Sequence, residues 1–258
     1  ASGATGTTVS AGVGIGVGVI NSSNLAYIEN ATVEAGGLNV SAKTGGQELT
    51  VTTTEDGKAK EVKKTYDNAS DVSSASGFNS GKFGIGGAIS VNVVNDVTRA
   101  YINNATIIIG RNGNITISAE SKSDGNTKAG SDDSLVEWAK STGVGSAIAV
   151  SVVNHETSAE LGSSASVSGK DNASIGNVAI TADAAGTVEV ASIAGAAGGK
   201  AVVPVVSVNV LTTVTKAKAA AHNDVVKNMI PLTGDMILRA KSSKKRKTVA
   251  NGKAAGAS

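Results

Sequence analysis

The chain has no cysteine, two prolines and, among 258 residues, only six aromatic side chains: Tyr27, Tyr66, Phe78, Phe83, Tyr101 and Trp138. Each scarcity removes a class of function. Without cysteine there is no disulfide framework, no thiolate nucleophile and no Cys-based metal site. Export from a bacterium fits this composition, whereas a small disulfide-rich secreted scaffold does not. With so few aromatics, any core must be built from Val, Ile, Leu and Ala. The charges nearly cancel, 23 basic residues against 21 acidic for a net +2, so nothing in the balance calls for nucleic acid as a partner. No apolar run reaches the roughly 18 to 20 residues of a membrane helix. The longest, near 202–211 and 147–153, are strand-sized, so no stable transmembrane segment is expected. No export leader opens the chain, whose first residues, "ASGATGTTVSAG", read as though cut from something longer.

What is abundant is glycine, 32 residues, and it alternates with β-branched residues in "GVGIGVGVI", Gly12 to Ile20. Comparison of the chain with itself explains the pattern. The stretch from Gly12 to Val33 aligns with "GIGGAISVNVVNDVTRAYINNATI" (Gly84 to Ile107), with "GVGSAIAVSVVNHETSAEL" (Gly143 to Leu161) and more loosely with Ala201 to Ala219. Anchored on Ala26, Ala100, Ala159 and Ala217, the copies are 74, 59 and 58 residues apart. One parity carries Ile15, Ile89, Ile148 and Val206, then Val17, Val91, Val150 and Val208, then Val19, Val93, Val152 and Val210. The other carries Gly, Ala, Ser and Asn. Period-two alternation is the mark of a strand, and the aliphatic parity is expected to face the interior, with Ser90 and Asn92 outside.

A second, shorter block follows in each copy: "NATVEAGGLNVSA" (Asn30 to Ala42), "NATIIIGRNGNITISA" (Asn104 to Ala119), Ser164 to Ala182 and, faintly, Ile230 to Ala240. Repeat units are therefore set at 12–42, 84–119, 143–182 and 201–240, within a single solenoid fragment of a larger protein. Polar insertions are expected at 43–82, 120–142 and 183–200, with a basic tail at 241–258. In the second insertion "SDDSLVEWAK" has a helix-start signal, so a short helix is expected near 132–140. Pro204 lacks a ladder donor and marks the fourth copy as edge-like.

Short β-branched strands separated by Gly/Asn turns and recurring at a long period predict an all-β solenoid, with coils of about 20 residues. A dozen such coils would form a rod roughly 60 Å long. The stretch "AISVNVVNDVTRAYINNATI" followed by "GNITISAES" resembles the repetitive passenger regions of very large bacterial type V secreted proteins. It is similar to filamentous-haemagglutinin-like adhesins and to the large cysteine-free leukotoxin of anaerobes. The resemblance implies a right-handed parallel β-helix, secreted or held at the bacterial cell surface. It further implies an outer-membrane translocator as partner during export and a host cell surface or leukocyte as target, bound by contact and not by catalysis. A polysaccharide-degrading β-helix enzyme and a membrane-inserting toxin segment are the alternatives.

The motifs add no chemistry to this reading. A dinucleotide loop needs G-x-G-x-x-G between strand and helix, but the last glycine is replaced by Val17 in the first copy and Ile89 in the second. A membrane barrel calls for aromatic girdles that six aromatics cannot supply. His155 and His222 have no partner at ligand spacing, and His155 is expected in a solvated turn. Ser131 to Asp133 and Asp235 lack a calcium repeat. The sequons at Asn21, Asn30, Asn39, Asn68, Asn104, Asn114 and Asn172 follow from composition. Asp96 lies near Arg99, but aligned copies offer no second carboxylate, and "KSSKKRK" (Lys241 to Lys247) reads as a solvated loop. No catalytic residue, metal ligand or cofactor is expected.

Overall fold

The computed structural model describes residues 8–45, 47–55, 58–66, 68–74, 82–130, 137–138, 141–220 and 231–256. Among them the chain is almost entirely β. In order the strands are β1 (Val9–Glu29), β2 (Thr32–Ala35), β3 (Leu38–Thr44), β4 (Gln47–Glu55), β5 (Lys58–Tyr66), β6 (Asn68–Ser74), β7 (Phe83–Asn103), β8 (Thr106–Ile109), β9 (Ile115–Ala129), β10 (Glu137–Trp138), β11 (Thr142–Leu161), β12 (Ser166–Gly169), β13 (Val178–Gly198), β14 (Lys200–Val202), β15 (Val205–Ala219) and β16 (Met236–Gly256). The one helical element described is a 3-10 turn at Lys170–Asn172.

Three parallel sheets carry the fold. The first runs β1-β7-β11, with β14 and β15 both on the far side of β11; the second is β2-β8-β12; the third contains β3-β9-β13 with β16 beyond β13 and β6 also on β9. Each copy thus places a long strand in the first sheet and a further strand in the third. Among the described residues the first three copies each add a four-residue strand to the second sheet, whereas the fourth makes there only the isolated Ile175–Leu232 bridge to the third copy. The internal alignment is reproduced residue for residue: Ala26 pairs with Ala100, Ala100 with Ala159 and Ala159 with Ala217. The corners suit asparagine. Asn30 and Asn104 follow the first-sheet strand at φ 54° and 46°, a left-handed geometry that Asn tolerates better than most side chains. Their carboxamides are hydrogen-bonded to each other across the copies.

Several expectations are corrected by this layout. The long first-sheet strand recurs once per copy, so there are four tiers, 74, 59 and 58 residues apart, and not a dozen of 20. The stacked strands span about 14 Å, not 60 Å, at the usual inter-strand spacing. Within 43–82 the departure from the sheets is the antiparallel pair β4–β5, after which β6 rejoins the third sheet. The regions expected as insertions at 120–142 and 183–200 are largely strand, in β9 and β13. Residues 241–256, expected as a tail, form most of β16, which pairs with β13 along its whole length. Of the helix expected near 132–140, most lies outside the described residues, and Glu137–Trp138 is strand.

The interior is the reverse of the expected register. Ser90, Asn92, Asp96 and Thr98 are buried, whereas Ile15, Val17 and Val19 are 69 %, 68 % and 63 % exposed. The reason is the width of the space between sheets. Where all three sheets meet, a broad aliphatic core forms from Ile102, Ile107, Ile109, Ile115, Ile117, Leu161, Ile175 and Ile180. Away from that corner the first and third sheets face each other directly, and the apolar side chains between them are fewer and smaller: Ala88, Ala129, Ala147, Ala149 and Val190 at one end, with Val94, Val153 and Val188 midway. The glycines of the opening stretch obey the same limit. A Cβ on Gly16 would sit 2.9 Å from the Ser73 carbonyl oxygen of β6, closer than carbon and oxygen approach without displacement.

Candidate contact surface and a buried polar column

On the outer face of the first sheet, parallel pairing sets equivalent residues side by side in rows. Ile15, Ile89, Ile148 and Val206 form one row, and two rows of four valines follow. Cross-strand contact between β-branched neighbours supports the ladder even where one side meets water. The next row is polar: Asn95 donates to Asn21 at 2.8 Å and Asn154 donates to Asn95 at 3.0 Å. Asn21, one of the sequons, is therefore engaged in this ladder.

Further along the strands the rows cease to match, and a groove results. Tyr27 stacks on Tyr101 with ring centroids 5.3 Å apart and planes 9° from parallel, but the same row continues with Glu160 and Lys218. The tyrosine ladder stops after two tiers, leaving Tyr101 at the groove wall. In the neighbouring row the small Ser158 lies between Arg99 and Lys216, giving a floor between two long cationic walls. The space measures about 400 Å³ and is lined by Arg99, Tyr101, Glu156, Ser158, Lys216 and Lys218 among others. Arg99 is held by Glu156 at 2.6 Å and Lys218 by Glu160 at 3.0 Å. No ion pair engages Lys216 among the described residues, and three cations against two carboxylates leave the groove with an excess of positive charge.

A different site lies inside. Ser22, Asp96, His155 and Thr213 stack in register and point into the gap between sheets. The Asp96 and His155 side chains are 0 % and 1 % exposed, with Nδ1 of His155 3.4 Å from Oδ2 of Asp96. Ser121 of the third sheet donates to the same oxygen at 3.1 Å. Burial acts to raise the Asp96 carboxyl pKa, but the His155 ring beside it, with Ser121 and Ser22, outweighs that and holds it below its ordinary value. Oδ1 of Asp96 and both ring nitrogens of His155 lack a geometrically formed hydrogen bond. From β16, Lys244 enters the same region. Its ammonium donates to the Ala185 carbonyl, and burial pushes its pKa down to about 8 against the opposing pull of Asp96 and Asp124.

These placements revise the sequence reading. His155 is a buried strand residue and not a solvated turn. Asp96 is buried beside it, whereas Arg99 points outward to Glu156, so the proximity of Asp96 and Arg99 in sequence joins nothing in space. His222 and Ser131 to Asp133 lie outside the described residues. Asp235 is exposed, and its backbone N–H is bonded to Asn177. Among the described residues no three His, Asp or Glu side chains converge as a metal site, and no helix is long and apolar enough to cross a membrane. The groove was missed because its members come from three copies. The signal available was Tyr at the same aligned position, one residue after Ala26 and Ala100. No family model, curated protein or solved structure matches the chain.

Proposed function

We propose that this chain is a structural and host-contact passenger segment of a secreted or surface-exposed bacterial adhesin or leukotoxin. In this reading the three sheets are the faces of a right-handed parallel β-helix, and the chain acts by binding and not by turnover. The right hand is the one that parallel crossovers overwhelmingly adopt. The observation that carries the reading is the outward groove, where an aromatic wall, a small-residue floor and an excess of cationic side chains are displayed on a rigid ladder. Such a site offers stacking and charge to a ligand on a host surface.

The enzyme alternative needs two carboxylates flanking a scissile bond, roughly 5 to 9.5 Å apart in glycosidases. The groove's Glu156 and Glu160 are four residues apart on one strand, so their backbone origins are about 13 Å from each other. Each is also engaged by its own cation. That arrangement favours holding a ligand over cleaving one.

The test is saturable binding of the labelled chain to epithelial cells and leukocytes, read beside leukocyte lysis. Tyr101→Ala combined with Lys216→Glu is expected to abolish saturable binding while leaving the β-sheet circular dichroism unchanged. Undiminished binding by that variant would overturn the groove as contact site. Depolymerisation of an acidic polysaccharide by the purified chain, lost in Glu160→Gln, would overturn the non-catalytic reading.

A further inference from the structure

The most conspicuous surface feature is the aliphatic wall beside the groove. It comprises the Ile15–Ile89–Ile148–Val206 row and the two valine rows after it, extended toward the strand starts by Val13, Ile85, Val144 and Val202. Val13, Ile15, Val17, Val19, Ile85, Val202, Val206, Val208 and Val210 all leave at least two-fifths of their surface open to water. Single exposed aliphatics are ordinary, but a contiguous flat patch marks a contact surface. A flat sheet has no concavity to enclose a small ligand. Its natural complement is another flat sheet packed at the usual face-to-face distance.

We infer that a second copy of this chain covers the wall, forming a symmetric dimer through the outer face of the first sheet. Four strands across and nine residues along give a rectangle of roughly 19 Å by 30 Å. Two such faces together remove about 1,100 Å² from water, just above the ~1,000 Å² expected of a specific interface. A two-fold axis along the strands would also press Arg99, Glu156, Glu160, Lys216 and Lys218 into the contact, and buried interface centres are depleted of charge. An axis across the strands, through the Ile15–Ile89–Ile148–Val206 row, avoids this. It lays wall on wall, sets Ile89 against the second copy's Ile89, and leaves both grooves free at opposite ends of the pair. The dimer is thereby bivalent, and two grooves on one particle gain avidity without any new ligand contact. This inference does not rest on the host-contact reading, since the wall and the groove share no residue.

Sedimentation velocity at tens of micromolar tests it. The chain is expected to sediment as a dimer, and Val17→Lys with Val91→Lys to raise the dissociation constant at least ~30-fold, as loss of a central anchor does. Val17→Thr with Val91→Thr keeps the β-branched shape and serves if the lysines disturb folding; it too is expected to weaken the dimer, with circular dichroism unchanged. Because the chain has no native cysteine, Ile89→Cys should be captured as a covalent dimer by a short bis-maleimide, whereas Lys216→Cys should not. A monomer at these concentrations overturns the inference, including one that binds phosphatidylcholine vesicles and so assigns the wall to lipid. A dimer untouched by the Val17 and Val91 changes, or equal cross-linking at positions 89 and 216, overturns it as well. Cell binding by a monomeric wall variant separates this result from the fate of the groove.

Discussion

The same substitution made on the two faces of the fold should give very different results. Ile117 is 0 % exposed and belongs to the aliphatic core at the corner where the three sheets meet. Truncation to Ala there removes the transfer free energy of the lost carbons and leaves a cavity, a combined cost of about 2–5 kcal/mol. Ile15 has the same side chain on the outer face and is 69 % exposed. Only about a third of its burial is available to lose, and water fills the space, so Ile15→Ala should cost under about 1 kcal/mol. For a chain of this size a kilocalorie moves the melting temperature by roughly 2–4 °C. Ile117→Ala should therefore melt about 4–20 °C lower, and Ile15→Ala within about 4 °C of the parent. Urea unfolding followed by circular dichroism, in solution dilute enough to keep the outer faces apart, measures both. Equal losses, or a larger loss at Ile15, would refute the assignment of aliphatic rows to the outside.

Asp96→Asn should lower stability by about 2–3 kcal/mol at neutral pH, since a buried charge-assisted network loses its ion. The folded carboxyl lies below its ordinary value of 3.8, so its contribution is present above that pH and is lost as pH falls through the folded value. The gap between parent and variant in urea titrations should accordingly close in acid, and a gap that widened there would contradict the pairing with His155. Lys244 titrates in the folded chain at about 8 against an ordinary 10.5, so keeping it charged opposes folding below pH 8. Lys244→Met should raise the melting temperature at pH 7, and the gain should fade between about pH 8 and 10.5 as the folded lysine becomes neutral. A gain that persists unchanged at pH 10 would show that lost packing, not charge, is responsible.

The order of strands and their pairing were legible because repetition fixes them. A parallel ladder of equivalent residues demands the same side chains at the same offsets, and Ala26, Ala100, Ala159 and Ala217 declare that register. The number of tiers was not legible, since a strand of 21 residues such as β7 can be broken in imagination into shorter ones wherever a polar residue interrupts the apolar run. The turn expected at His155 is such a break, yet Asn154 beside it lies in the outer asparagine ladder and His155 itself in the buried column with Asp96, and the strand continues through both.

The inversion of inside and outside has a more general cause. Placing large aliphatic residues in the interior assumes a space wide enough to hold them, and width is set by how far apart the sheets stand, which no single strand encodes. Two strands read together do encode it. Away from the three-sheet corner the buried positions include Ala88, Ser90 and Asn92 on β7 and Ser121, Ser123, Thr127 and Ala129 on β9, so both walls of the gap carry small side chains there. When the opposed faces are both small, the sheets can approach closely, and backbone neighbours such as Ser73 then leave no room for a Cβ at Gly16. The larger side chains are thereby displaced to the outer surface, where their rows still favour strand pairing. An aliphatic face produced in this way remains open to water until another surface covers it, and its presence follows from the same gap that holds Asp96 within bonding reach of Ser121 and beside His155.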